Sequence, residues 1–252
     1  MPKLALAVVH GHGEHGGRYQ WLGEDMVRRG IAVFAIDLRG HGTSGGKRGH
    51  VMSWDELIAD AETAIAFARE GVPEDVEVVP LGHSVGGSIL LSAIVRRRIK
   101  PKRFAVSSPA LRVRQPVPAW KVRMGEALSS RLPALAMGTG LDARGISRDA
   151  AVVEAYKADR LVHDKMSTRF YTEWTAANAE ILARANEIKI PYFASHGSDD
   201  PIIDPSGTQE LFRRSGPPAG SRLELYSGYL HEPFNELGRE RVYEDLAAWL
   251  VG

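Results

Sequence analysis

The run Leu81-Gly82-His83-Ser84-Val85-Gly86-Gly87 constrains this chain more than any other stretch. An apolar, valine-rich run at residues 76–81 leads into it, and a helix-like apolar run at residues 88–95 leads out to Arg96-Arg97-Arg98. A serine set between a strand and a helix with no loop to spare has to sit on a sharp turn. Glycines two residues to either side are then required, because strand and helix approach so closely that side chains there would collide. Such a turn strains the backbone at the serine and lifts its hydroxyl clear of the sheet. It also aims the first amides of the helix at whatever the hydroxyl attacks. The G-x-S-x-G spacing alone is a weak signal, and the chain contains it twice. Gly42-Thr43-Ser44-Gly45-Gly46 follows polar Asp37-Leu38-Arg39-Gly40-His41 and runs into Lys47-Arg48-Gly49, with no strand before it and no helix after. Ser44 therefore reads as a loop residue.

Around that turn, short apolar runs alternate with longer helical patterns. Residues 4–9, 31–36, 76–81, 103–107, 190–195 and 223–226 read as strands, and 21–29, 54–69 and 239–250 as helices. Leu57, Ile58, Ala61, Ala64, Ile65 and Ala68 fall at helical spacing within the second helix. This alternation predicts an α/β chain with a mostly parallel central sheet flanked by helices. The rhythm breaks between residues 109 and 186, where no strand pattern is visible, only helical segments and Pro/Gly punctuation. The expectation is a core of residues 1–108 and 187–252, with 109–186 inserted as a helical cap before the last two strands. That cap would lie over the carboxyl ends of the strands, where ligands bind in such sheets.

Composition narrows the function. The 252 residues suit one α/β domain, and 32 Lys+Arg against 31 Asp+Glu give a net charge of +1. The strong positive field of a nucleic-acid binder is missing. There is no cysteine, which removes disulfides, thiolate catalysis and cysteine-ligated metals. The apolar run at residues 4–9 stops at His10-Gly11, too short to span a membrane and without a cleavage-like site. It reads as a buried strand, and the expected location is the cytoplasm, with at most peripheral membrane association. In the cap, Arg112, Arg114, Lys121, Arg123 and Arg131 oppose only Glu126. Trp120, Met124, Leu128, Leu132 and Leu135 recur near helical spacing, with Pro133 interrupting. A basic amphipathic cap of this kind is suited to touching an anionic lipid surface and lining an acyl tunnel. The bland alternative is a cap helix packed on the core with a solvated basic face. The sequence sets no oligomeric state.

A nucleophilic serine needs a base, and the base an orienting carboxylate. In chains that present the serine on a strand-to-helix elbow, the order is serine, acid, histidine. Of nine histidines only His163, His196 and His231 follow Ser84, and only His231 also follows the last plausible acid. It stands just past the last strand. The acid belongs on the loop after the preceding strand, in His196-Gly197-Ser198-Asp199-Asp200-Pro201. Asp200 is chosen, three residues past Gly197 and ahead of an apolar run; Asp199 is the alternative, and Asp204 reads as the cap of a helix starting at Pro205. The bland readings are a helix N-cap for Ser84 and a solvated loop for His231. The oxyanion hole is expected from the backbone amides of Val85 and His12, the latter in the glycine-rich loop after the first strand. His10, His12, Glu14 and His15 in that loop also read as a zinc set, but no distant cluster completes it.

Three stretches together resemble the monoacylglycerol lipase and lysophospholipase-like branch of the α/β-hydrolase superfamily. They are His10-Gly-His-Gly-Glu-His-Gly-Gly-Arg-Tyr19, Asp37-Leu-Arg-Gly-His-Gly-Thr-Ser44 and Gly82-His-Ser-Val-Gly-Gly87. The resemblance continues through Arg48-Gly-His50 and Trp54-Asp55 and through the cap at Ile146-Ser-Arg-Asp149, Tyr156-Lys-Ala-Asp159 and Leu161-Val-His163. It then reaches Gly197-Ser-Asp-Asp200 and Leu230-His-Glu232. It implies an α/β-hydrolase fold, catalytic Ser84, Asp200 and His231, the His12 amide in the oxyanion hole, and no cofactor or metal. The implied reaction is hydrolysis of a monoacylglycerol to glycerol and free fatty acid. Lysophospholipase and general short-chain carboxylesterase are the enzymatic alternatives, and a non-catalytic small-molecule binding module the remaining one. The branch often carries proline after the aspartates of both cap motifs; this chain has Ala150 and Arg160, which bears on cap rigidity and not on the chemistry.

Overall fold

Six parallel strands in the order β2-β1-β3-β4-β7-β8 form the central sheet of the computed structural model, which describes residues 2–115 and 119–252. They are β1 (Leu4–Val9), β2 (Ile31–Ala35), β3 (Glu77–His83), β4 (Phe104–Ser107), β7 (Tyr192–Gly197) and β8 (Arg222–Tyr226). The first, buried along its whole length, is a continuous apolar run, as a strand covered on both faces must be. Its alternate residues serve two cores. Leu4, Leu6 and Val8 meet α1 (Gln20–Arg28) and α8 (Arg239–Val251) through Leu22, Met26, Val242 and Leu246. Val9 faces the opposite layer, where α2 (Trp54–Glu70) and α3 (Val85–Val95) contribute Trp54, Leu57, Ile58 and Ile89.

The helices start where local chemistry directs. Ser53 and Glu56 form a reciprocal capping box at the start of α2, and Asp204 caps α7 (Pro205–Ser215) with Pro205 at its first position. Helix α3 is buried on every side, which fits its lack of a polar face.

Between β4 and β7 the chain forms α4 (Ala119–Arg131), β5 (Ala136–Gly138), α5 (Ala150–Ala158), β6 (Lys165–Ser167) and α6 (Thr168–Ala183). The expectation that this insertion holds no strand is corrected. β5 and β6 pair antiparallel, but at three residues each they are too short to show an alternating pattern. Asp149 caps α5 by accepting from the Ala151 amide, so the cap survives with Ala150 where proline was expected. Helix α6 packs Phe170, Trp174 and Ala177 against the α2–α3 layer and Ile181 against β4 and β7. Arg112 and Arg114 are also redirected: they pair with Glu210 and Asp204 of α7. The Lys121 side chain, counted among the cap's cations, lies outside the described residues.

Candidate active site

Ser84 sits between β3 and α3 with φ 52° and ψ −121°, a positive φ that L-residues rarely adopt. The glycines around it have no room for a side chain. A Cβ on Gly86 would lie 2.1 Å from the Val9 carbonyl oxygen, and one on Gly82 would lie 2.6 Å from the Gly86 carbonyl oxygen. Hydrogen bonds from the Ser84 amide to the Ser107 oxygen (3.0 Å) and from the Ala110 amide to the Ser84 oxygen (2.9 Å) hold the strained turn from outside. The Ser84 hydroxyl makes no capping bond to the helix.

Instead, Ser84 Oγ lies 2.9 Å from His231 Nε2, and His231 Nδ1 lies 2.6 Å from Asp200 Oδ2. Residues 147 and 31 positions apart in sequence thus form one buried line. Asp199 is exposed and takes a hydrogen bond from the Ser198 hydroxyl. Burial opposes charge on both Asp200 and His231, but their attraction outweighs it. The nearby His231, with hydrogen bonds from His196 and His231, holds Asp200 well below the usual carboxylate range. Asp200, followed by Glu232 and Glu14, raises His231 above the ordinary imidazole value. With Asp200 ionised, Nδ1 carries the hydrogen and Nε2 is free to accept a proton from Ser84.

His12 and Val85 line the same cavity as Ser84 and His231, about 1340 Å³ in volume. Neither of their amides has a protein acceptor among the described residues, so both can donate to a bound group. The His12 side chain does something else: it donates from Nε2 to the Lys165 carbonyl. Burial, with His163 beside it, pushes its imidazole down to about 3. The residues weighed as a zinc set have separate partners. His10 Nε2 accepts from the Leu38 amide, His15 pairs with Asp159, and Glu14 takes the Gly11 amide, Tyr19 and Arg18. Among the described residues no group of three or more His, Asp or Glu is placed to hold a metal ion.

Sequence reasoning missed a polar cluster beside this cavity. Arg18, its side chain mostly covered, bridges Glu14 (3.0 Å) and Glu232 (2.6 and 2.8 Å), with Tyr156 stacked 4.7 Å from its guanidinium carbon. Two carboxylates against one guanidinium leave a net negative charge near His231. Burial opposes ionisation of Glu14, yet Arg18 and then His83 bring its carboxyl down to about 2. Glu14, His83, Tyr156 and Glu232 line the cavity; most of the remaining lining is apolar, including Val113, Leu128, Ile146, Met166, Trp174 and Ile203. The His231 loop is also tied to the insertion, through His231 N to Gly145 O (3.3 Å) and Glu232 N to Ile146 O (2.8 Å). Arg18 lies within the His10–Tyr19 motif, but its bridging role depends on Glu232, 214 positions away, and no local signal reports that.

Comparison with known proteins places the chain in a family. The family model Hydrolase_4 (serine aminopeptidase, S33) matches residues 1–238. The chain is 32% identical to a monoacylglycerol lipase of Mycolicibacterium smegmatis, over 99% of this chain and 89% of that one. It is 31% identical to the phospholipase YtpA of Bacillus subtilis, over 98% and 95%. The crystal structure of Paleococcus ferrophilus monoacylglycerol lipase superposes with a TM-score of 0.89 at 31% identity, covering 100% of this chain and 95% of that one. One further relative is longer, and the chain spans 26% of it.

Proposed function

The chain belongs to the Hydrolase_4 family, and from that premise we infer that it is a carboxylic ester hydrolase that cleaves monoacylglycerols to glycerol and free fatty acid. The observation that carries this reading is the Ser84–His231–Asp200 line opening into a large, mainly apolar cavity that also carries polar groups. An acyl chain suits the apolar walls, and a glycerol head suits polar lining such as Glu14, His83, Tyr156 and Glu232.

In the proposed mechanism Ser84 Oγ attacks the ester carbonyl as His231 Nε2 takes its proton. Asp200 keeps the hydrogen on Nδ1 and stabilises the imidazolium. The amides of His12 and Val85 receive the negative oxygen of the tetrahedral intermediate. Collapse expels glycerol, which takes the proton from His231, and leaves Ser84 acylated. A water, deprotonated by the same nitrogen, then attacks the acyl carbonyl; the Ser84 Oγ–acyl bond breaks, the fatty acid leaves, and His231 returns the proton to Ser84 Oγ.

Residues 109–186 are assigned the role of cap. Its outer face is proposed to rest on a lipid surface. Leu132 and Leu135 are exposed there. Lys47, Arg48, Arg131 and Lys165 line an adjoining groove with Leu132, Pro133 and Leu135. Such a mixture suits an anionic interface, and no helix among the described residues is long and apolar enough to cross a membrane.

The test is glycerol release from 1-monolauroylglycerol, beside trilaurin, lysophosphatidylcholine, p-nitrophenyl butyrate and an aminoacyl anilide, with Ser84→Ala as control. The substrate is presented in neutral and in anionic vesicles. The expected result is Ser84-dependent turnover of the monoglyceride above all others, faster on anionic vesicles. Preference for lysophosphatidylcholine would favour the phospholipase reading that YtpA suggests. Turnover of the butyrate ester or the anilide alone would overturn the substrate class.

A further inference from the structure

A second histidine stands behind Asp200. His196, near the end of β7, is fully buried. Its Nε2 lies 3.0 Å from Asp200 Oδ2 and 3.2 Å from the Ile203 carbonyl oxygen, both acceptors, so Nε2 carries a hydrogen. Its Nδ1 lies 2.7 Å from Thr208 Oγ1 on α7, which fixes the ring in its plane. Asp200 Oδ2 therefore receives two imidazole N–H groups, from His196 and from His231 at 2.6 Å. Its other oxygen receives the amides of Ile202 (2.8 Å) and Ile203 (2.9 Å).

We propose that His196 is a positioning residue for catalysis: donating to the same oxygen that binds His231, it fixes the rotation of the Asp200 carboxylate and shares its charge. The proposal rests on the reading of Ser84, His231 and Asp200 as the catalytic set. A carboxylate held by amides on one oxygen and by one imidazole on the other would still bind His231. The second imidazole prevents the carboxylate from turning and weakens its pull on the His231 proton. Without that donor the charge on Oδ2 is less shared, the imidazolium of His231 is stabilised more, and His231 loses its proton at higher pH. The other ionisable groups around His231 are His83, its ring centroid 5.1 Å away, and Glu14 and Glu232 with Arg18 between them; all remain in every variant below.

The experiment is the pH dependence of kcat and of kcat/KM on a monoacylglycerol for the wild type, His196→Phe, His196→Gln, Leu211→Ala and Ser84→Ala. Phenylalanine keeps most of the ring volume and removes the donor; glutamine restores an N–H near the place of Nε2. Leu211, buried on α7 in the apolar cluster with Tyr192 and Ala194, controls for lost packing. H196F is expected to lower kcat roughly tenfold with little change in KM, as loss of a hydrogen bond to a charged group does. Its acid limb should move to higher pH. H196Q should return the limb to the wild-type position, and L211A should lower Tm without moving it. An H196F limb at the wild-type position, with Tm lowered as in L211A, would overturn the proposal and leave His196 a packing residue. If H196F does not fold, H196Q carries the test: a donor role requires its limb at the wild-type position, and a displaced limb overturns it. Activity retained in Ser84→Ala is a separate outcome that removes the catalytic set itself.

Discussion

Two stretches of this molecule share one pattern, and they have opposite structural roles. Gly82-His83-Ser84-Val85-Gly86 joins β3 to α3, and both outer glycines lie where a Cβ would strike backbone. Its serine has a positive φ and a hydroxyl free of the local backbone, 2.9 Å from a histidine. Gly42-Thr43-Ser44-Gly45-Gly46 is a surface loop built on Asp37, whose carboxylate takes the Thr43 amide and hydroxyl. Its serine donates to the Asp37 carbonyl oxygen at 2.6 Å and is used up in holding the loop. Gly45, in the place of Val85, has open space around it, whereas the outer Gly42 and Gly46 are held by positive φ values of 49° and 104°, with the Asp37 carboxylate against Gly42. The difference lies in the flanks. A strand on one side and a helix on the other force the backbone through a strained corner, and the corner presents the hydroxyl. Without them the same G-x-S-x-G spacing makes a turn.

The comparison breaks most visibly at the serines. Ser84→Ala should lower kcat by roughly 10⁴ to 10⁶, the range of single deletions in catalytic sets of this kind. Ser44→Ala should leave kcat within about twofold, since only one loop hydrogen bond is lost. Steady-state kinetics on one monoglyceride would check both, and equal losses would contradict the distinction. The glycines come next. Gly86→Ala forces a methyl group against the Val9 carbonyl and should cost at least about 4 kcal/mol of stability, the range of severe steric defects. Gly45→Ala should stay within about 0.5 kcal/mol. Urea unfolding would report both, and a tolerated Gly86→Ala would show that the corner is less crowded than described.

The pH profile sharpens the contrast further. The base must be neutral to accept the serine proton, so activity falls as pH drops through its pKa. Burial works against protonation of His231, but the Asp200 charge prevails and raises its pKa. The acid limb of kcat/KM should therefore lie above the ordinary imidazole value of about 6.5. His41, three residues before Ser44, is driven the other way, by burial first and then by His12 and His10. A limb well below 6.5 would point to that loop instead.

The same contrast explains what the sequence made legible. The large elements announce themselves: six apolar runs became the six strands of the sheet, and the periodic run through Leu57, Ala61 and Ala64 became α2. Ser84, Asp200 and His231 can be chosen from chain order and from the glycines beside them, because an elbow constrains its own neighbours. What stays hidden depends on distant partners. Arg112 and Arg114 read as free cap cations until α7 supplies Glu210 and Asp204. Arg18 is a motif residue whose bridge to Glu232 has no local trace. His196 looks like any strand residue, and only the return of the chain at Asp200 gives its ring an acceptor. β5 and β6 are too short for periodicity to detect.

The most direct test of the account is to treat the protein with a fluorophosphonate, whose phosphorus takes the oxygen of an activated serine as fluoride leaves, and to locate the adduct by peptide mass spectrometry. The account predicts one adduct per chain, on the peptide that carries Ser84, lost when His231 is replaced by alanine. An adduct on the Ser44 peptide, or none on Ser84 at a pH where the protein is active, would contradict it.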